Sequence, residues 1–276
     1  MQDVRQILED TLNGIGSTTE HIEAEEGDFI AGDGYLHCGK CGERKEFRLP
    51  FNGHMVPVLC DCGKAARYRN EEAARRRQAI ARVNELKSYS LIDRRFREST
   101  FANAIETPEN AQALSIARKY CEHWEEVLEK NVGLLFYGPP GTGKTFISAC
   151  IANELMRQTV PVLATSIIKL AGVDSETLEE TLRWMRNADL VILDDFGAER
   201  GTDFMRERVF SVIDSRYANK RPLIVTTNVN MGEMRKSTDQ GTMRVYQRLR
   251  GMCKVIRLTG ASWREKESDM LTSWGV

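Results

Sequence analysis

The spacing of apolar and polar positions changes character along the chain. Residues 1–15 place Val4, Ile7, Leu8, Leu12 and Ile15 at helical spacing, which predicts a short amphipathic helix. Residues 16–34 are acidic and glycine-bearing and read as a loop. Residues 64–88 are rich in Ala, Arg and Glu but poor in large apolar side chains, the pattern of an exposed helix. Residues 89–108 carry a small apolar and basic stretch, and 110–130 read as a helix. Beyond that, short apolar runs alternate with amphipathic stretches. Strands are predicted at 132–137, 160–165, 188–193, 223–227 and 254–258, with helices at 146–157, 176–187, 204–218 and 243–250. Continuous apolar runs of this length are buried on both faces. Five such strands alternating with helices predict an α/β fold: a mostly parallel five-stranded sheet covered on both sides.

Length and composition sharpen this picture. A chain of 276 residues accommodates about two domains at roughly 150 residues each, and we place them at 1–88 and 89–276. Hydrophobic residues at 41% and charged residues at 29% exclude a wholly disordered chain. No apolar run approaches the ~20 residues of a membrane helix. Residues 1–30 lack a basic start followed by an apolar stretch, so no secretory signal is visible and a cytoplasmic, membrane-free protein is expected. The net charge of −1 hides a strong asymmetry. Residues 1–37 hold nine acids against one base, a net −8, whereas residues 64–97 hold eleven bases against four acids, a net +7. Such segments meet different partners, or each other, or simply form solvated faces.

The candidate chemistry lies in three strings. Gly138-Pro139-Pro140-Gly141-Thr142-Gly143-Lys144-Thr145 matches the phosphate-loop pattern GxxxxGK[ST], with an apolar strand before it and a helical pattern after it. Glycines let successive N–H groups curl around phosphates, and the following helix presents its positive end. Lys144 would reach the β- and γ-phosphates of ATP, and the Thr145 hydroxyl would bind Mg²⁺. Leu190-Val191-Ile192-Leu193-Asp194-Asp195 is an apolar strand ending in two carboxylates, delivered to the sheet edge where ligands bind in open α/β folds. Asp194 would hold Mg²⁺ and Asp195 would polarise the attacking water. The next strand ends Val225-Thr226-Thr227-Asn228, so the Asn228 amide can lie beside the γ-phosphate, although Asn there is also a common turn residue.

These strings, with Phe96-Arg97-Glu98-Ser99-Thr100-Phe101 and Arg244-Val245-Tyr246-Gln247-Arg248-Leu249-Arg250, resemble the AAA+ ATPases of the DnaC/DnaI/IstB group. That group comprises bacterial and phage helicase loaders and their transposon-helper relatives, and the resemblance covers roughly 170 residues. It implies a P-loop AAA+ core, with Asn228 at the sensor 1 position, Arg244 at the arginine-finger position and Arg264 at the sensor 2 position. A planar, permanent cation suits a transferring phosphoryl group. Two departures stand out. Asp195 replaces the Glu of many AAA+ proteins, and few residues follow the last strand, which implies little or no helical lid.

Cys38-Gly39-Lys40-Cys41 and Cys60-Asp61-Cys62 supply four thiols within residues 35–63. Four soft ligands suit a closed structural Zn²⁺ site, with His37 or His54 as possible substitutes for a thiol. Some thirty residues cannot build a core, so the metal would supply most of the folding free energy here. By the resemblance, a zinc-bearing amino-terminal domain contacts the replicative helicase. The leading expectation is therefore an ATP-dependent loader of a DnaB-type helicase onto single-stranded DNA, a slow switch ATPase that forms homo-oligomers with ATP. The alternatives are an IstB-like transposition helper and a zinc-bearing ATP-binding adaptor that hydrolyses little. DNA contacts are poorly marked: residues 166–174 offer Lys169 but no aromatic side chain for base stacking, and 75–77 offer three arginines.

Overall fold

The computed structural model describes residues 21–50, 53–90, 96–197, 203–236 and 238–265. The amphipathic helix expected over 1–15 lies outside them. The chain divides into two compact units, Met1–Arg77 and Gln78–Val276.

The first unit contains two small antiparallel ribbons. β1 (Phe29–Ile30) pairs with β2 (Leu36–His37), and β3 (Glu46–Arg48) pairs with β4 (Met55–Pro57). Residues 16–34, expected to be a loop, thus contain a strand. Two residues carry too little periodicity to be read, and it is pairing that makes them a strand. Among the described residues of this unit, the buried apolar side chains apart from cysteines are Leu36 and Met55. Polar contacts substitute for a core. The buried Glu46 carboxylate accepts the N–H groups of Leu36 (2.7 Å) and Ile22 (3.0 Å) and contacts His21. These bonds hold its pKa below the usual range against the opposing effect of burial. Lys45 Nζ donates to Asp28 (2.6 Å) and Glu25 (2.8 Å), tying the 25–28 segment to the ribbon.

Helix α1 (Asp61–Tyr89) spans the border between the units. Its polar sequence leaves most of its length exposed, as expected. In its last turns Val83 and Leu86 are buried, and Leu86 belongs to the core of the second unit.

That unit is a five-stranded, fully parallel sheet of β5 (Gly133–Tyr137), β6 (Val162–Ser166), β7 (Leu190–Asp194), β8 (Leu223–Thr227) and β9 (Cys253–Arg257). The strand order is β6-β7-β8-β5-β9. Alternation along each strand feeds two cores. On one face Leu134, Phe136, Ile192 and Ile224 meet α2 (Ala111–Glu122), α3 (Trp124–Glu129) and α4 (Lys144–Arg157). On the other, Leu135, Leu193, Leu223 and Val225 meet α5 (Ile167–Leu170), α6 (Ser175–Asn187), α7 (Asp203–Ala218), α8 (Met231–Lys236) and α9 (Gln240–Met252). Asp174 and Asp239 cap α6 and α9 by accepting the N–H groups of Thr177 (2.9 Å) and Thr242 (2.7 Å).

The single helix expected over 110–130 is two, because His123 leaves the helical region at φ −107°, ψ 34°. Both pieces still bury residues in one core, with Tyr120 before the break and Trp124 and Val127 after it. The short α5 and α8 were not expected, being below the length at which periodicity is legible. No described helix is long and apolar enough to cross a membrane. After β9, the described chain to residue 265 adds only a single helical turn at 263–265.

Candidate functional site

The strand order sets the site. The chain leaves β5, crosses to β6 at the edge, and returns through β7 and β8 to lie beside β5. The carboxyl ends of β5, β7 and β8 therefore converge at the point where the order reverses, the usual crevice for a ligand.

The phosphate loop follows β5. Gly138 (φ +148°) and Gly141 (φ +80°) occupy backbone regions that other residues rarely adopt. A Cβ on Gly138 would lie 2.0 Å from the Leu258 carbonyl oxygen, and one on Gly141 would lie 2.2 Å from Ser262 Oγ. Gly143 (φ +92°) caps α4, whose first residue is Lys144. Lys144 is buried, and its Nζ donates to the carbonyls of Gly138 (2.9 Å) and Pro139 (2.8 Å) within the loop. Burial lowers its pKa, against the raising effect of Asp195 and Asp194. The Thr142 hydroxyl donates to Pro139 O at 2.9 Å, closing the loop on itself.

At the end of β7, Asp194 Oδ1 accepts the hydroxyls of Thr145 (3.0 Å) and Thr226 (2.6 Å). Burial raises its pKa while both hydroxyls oppose the shift. A half-buried carboxylate and a hydroxyl at this distance are a fitting donor pair for a hard, oxygen-seeking cation such as Mg²⁺. Asp195 follows in the left-handed region at φ +52°. Together with Lys144, Thr145, Asn228, Trp263 and Arg264, it lines a cavity of about 500 Å³. A neighbouring cavity of about 220 Å³ shares Thr145 and Asp195 and adds Asp194, Ser166 and Lys169. Arg264 reaches the first cavity because the Trp263 N–H donates to Gly141 O at 2.9 Å, laying the segment after β9 across the phosphate loop.

The expected residues are thus brought together with one exception. Arg244 is exposed on α9 and is not among the residues lining either cavity. Conversely, sequence reasoning missed Thr226, Trp263 and the 98–110 segment that walls the larger cavity. Thr226 lay inside a string already singled out, but nothing in one dimension shows which of two adjacent threonines faces Asp194.

In the first unit, the Sγ atoms of Cys38, Cys41, Cys60 and Cys62 all lie within 4.8 Å of one another. Cys62 Sγ is 3.4 Å from Cys38 and 3.3 Å from Cys60. Four Zn–S bonds of ~2.3 Å in a tetrahedron require about 3.8 Å between sulfurs, so the set fits that ion. The backbone N–H groups of Cys41 and Lys40 hold the Cys38 thiol down at about 6, as outer hydrogen bonds to a metal-ligating thiolate do. Hydrogen bonds of the Cys62 thiol to Cys60 and Cys38 push its pKa up to about 12. His37 and His54 stand outside the group. Both His37 ring nitrogens are engaged elsewhere, by Gly42 O at 2.7 Å and Asp33 at 3.1 Å.

Residues 68–270 match the family described as IstB-like ATP binding protein. The chain is 28% identical over 229 residues to the replicative helicase loader DnaC of Escherichia coli K12, covering 77% of this chain and 89% of DnaC. It is 28% identical over 150 residues to the replicative helicase loader DnaI of Bacillus subtilis, covering 49% of this chain and 48% of DnaI. A crystal structure of DnaI superposes with a TM-score of 0.55 at 24% identity, over 63% of this chain and 94% of that one, a likeness of fold alone. With its P-loop sheet, its matched residues and these relatives, the chain belongs to the IstB-like ATP-binding family, within the AAA+ group that includes DnaC and DnaI.

Proposed function

We propose that this protein is an ATP-switched loader of a hexameric, DnaB-type replicative helicase onto single-stranded DNA. The observation that carries the reading is the convergence of Lys144, Thr145, Asp195, Asn228 and Arg264 on one cavity, in a chain similar over most of its length to a replicative helicase loader. In this reading the loop N–H groups and Lys144 hold the β- and γ-phosphates. The Thr145 hydroxyl and Asp194 carboxylate hold Mg²⁺, which when bound neutralises phosphate charge. Asp195 accepts a proton from the attacking water, Asn228 orients that water, and Arg264 lies over the transferring group. Asp195 has one methylene fewer than Glu, which suits slow, switch-like turnover. Arg244, exposed and away from its own chain's cavity, acts on the nucleotide of a neighbouring copy in an ATP-dependent homo-oligomer.

The thiol unit, carrying Zn²⁺, binds the helicase within residues 1–88. Exposed Phe29, Ile30, Phe47 and Leu59 offer it an apolar contact surface. A second reading, a transposition helper holding duplex DNA and a transposase, follows from the resemblance to IstB-like proteins, whose family model the chain matches. Co-purification of the full chain from its native cell separates the two. A hexameric helicase partner is expected, and recovery of a transposase in its place would overturn the loader reading. ATP turnover measured with and without single-stranded DNA tests the switch, since a chain that binds ATP without hydrolysing it in either condition is an adaptor.

A further inference from the structure

Thr226 is fully buried near the carboxyl end of β8, and nothing in the nucleotide chemistry above uses it. The last β7–β8 pairing is Leu193 with Val225, which sets Thr226 level with Asp194. Its hydroxyl donates to Asp194 Oδ1 at 2.6 Å and accepts the Asp195 N–H at 2.9 Å. One oxygen therefore touches both carboxylate residues, the first through its side chain and the second through its backbone.

The second contact matters because Asp195 is left-handed, a conformation that a non-glycine residue holds only when its surroundings impose it. Here β8 imposes it from both sides. The Phe196 N–H donates to the Thr226 carbonyl at 2.8 Å. The neighbouring Thr227 hydroxyl donates to the Phe196 carbonyl at 2.5 Å while accepting the Val229 N–H at 3.0 Å. The two threonines lace the Asp195–Phe196 turn to β8, and only the Thr226 hydroxyl also reaches Asp194.

We propose that Thr226 is a positioning residue for ATP hydrolysis: its single hydroxyl aims Asp194 at the cation and fixes the backbone that carries Asp195 towards the water. This rests on the reading of Asp194 and Asp195 given above. The hydroxyl makes the two placements interdependent, since a displacement of Asp194 is felt by the Asp195 N–H through one shared oxygen.

Thr226→Val is nearly isosteric and keeps the β-branched shape while deleting the hydroxyl. Calorimetric titration of ATP across a range of Mg²⁺ concentrations gives a readout independent of turnover. In Thr226→Val, ATP affinity in chelator should match the wild type, and the Mg²⁺ concentration giving half of the metal-dependent tightening should rise roughly tenfold. At saturating Mg²⁺ the KM for ATP should stay within about threefold while kcat falls roughly 10- to 100-fold, the worth of one hydrogen bond to a charged group. Thr226→Ser restores the hydroxyl and should recover both. Should Thr226→Val not fold, Thr226→Ala deletes the same hydroxyl and carries the same expectations. Wild-type Mg²⁺ dependence and kcat in the hydroxyl-free variant would overturn the proposal, and so would a serine variant as impaired as the valine one. Asp195→Asn separates the two levels. If that variant hydrolyses ATP normally, the assignment of Asp195 fails, whereas the Mg²⁺ shift in Thr226→Val still reports on the hold over Asp194.

Discussion

Lys144 and Asp195 face the same cavity, yet their substitutions should separate binding from chemistry. Lys144 brings the only side-chain cation embedded in the phosphate loop, so Lys144→Ala should abolish measurable ATP binding. Asp195→Asn keeps size and backbone but cannot take a proton from water. It should bind ATP like the wild type and lose hydrolysis roughly 10²- to 10⁴-fold, the usual worth of a general base. Equilibrium binding and steady-state turnover on the same preparations check both, and normal turnover by Asp195→Asn would show that another group acts on water. The phosphate loop was legible because its chemistry is local: eight consecutive residues carry the whole cradle. Arg264 was placed by resemblance alone, since its arrival depends on the Trp263 N–H bond to Gly141, more than 120 residues away in the chain.

At the scale of elements, each unit is stabilised internally by a different means. In the first unit the thiols at Cys38 and Cys41 must be held beside Cys60 and Cys62 at the start of α1, and the few buried apolar residues cannot do that unaided. The purified chain should carry about one Zn²⁺, and a chelator should remove it with loss of the ribbon signals in NMR spectra while ATP binding persists. A metal-free protein from a reducing preparation, with its ribbons intact, would sink the zinc assignment. In the second unit Arg216 of α7 is wholly buried, with no carboxylate at its guanidinium among the described residues. It donates to the carbonyls of Met185 (2.8 Å), Ala188 (2.9 Å), Asp189 (3.1 Å) and Pro222 (2.6 Å), joining the end of α6 to the segments entering β7 and β8. Burial drags its pKa down to about 9. Arg216→Leu would remove a donor from each of those buried carbonyls and should cost about 3 kcal/mol of stability by chemical denaturation. A loss under about 1 kcal/mol would mean that the buried charge cancels what its hydrogen bonds contribute. In sequence Arg216 is one more charged residue on a helix, and no pattern sets it apart.

For the whole molecule, the decisive question is whether the site is completed by a second copy. Arg244→Ala should bind ATP nearly as well as the wild type, hydrolyse it poorly and weaken ATP-dependent oligomers. A finger supplied in trans contributes ~10³- to 10⁵-fold in fast enzymes, and a slow switch should show less. Mixing Arg244→Ala with Lys144→Ala chains creates interfaces that join an intact phosphate loop to an intact finger, so part of the activity should return. If mixed oligomers form and stay inactive, Arg244 does not act across an interface.

The sequence by itself determined the α/β class, all five sheet strands to within two residues, the phosphate loop, the paired carboxylates and the clustering of four cysteines. Each of these is written in neighbouring residues, through continuous apolar runs, glycine spacing or short-range thiol pairs. Tertiary structure alone decided the order β6-β7-β8-β5-β9, the burial of Leu86 at the end of a polar helix, the four carbonyls around Arg216, the choice of thiols over His37, and the hydroxyl of Thr226 between two aspartates. Those features join residues far apart in the chain. They are fixed by which strand lies beside which, and by where each buried donor finds an acceptor once water is gone.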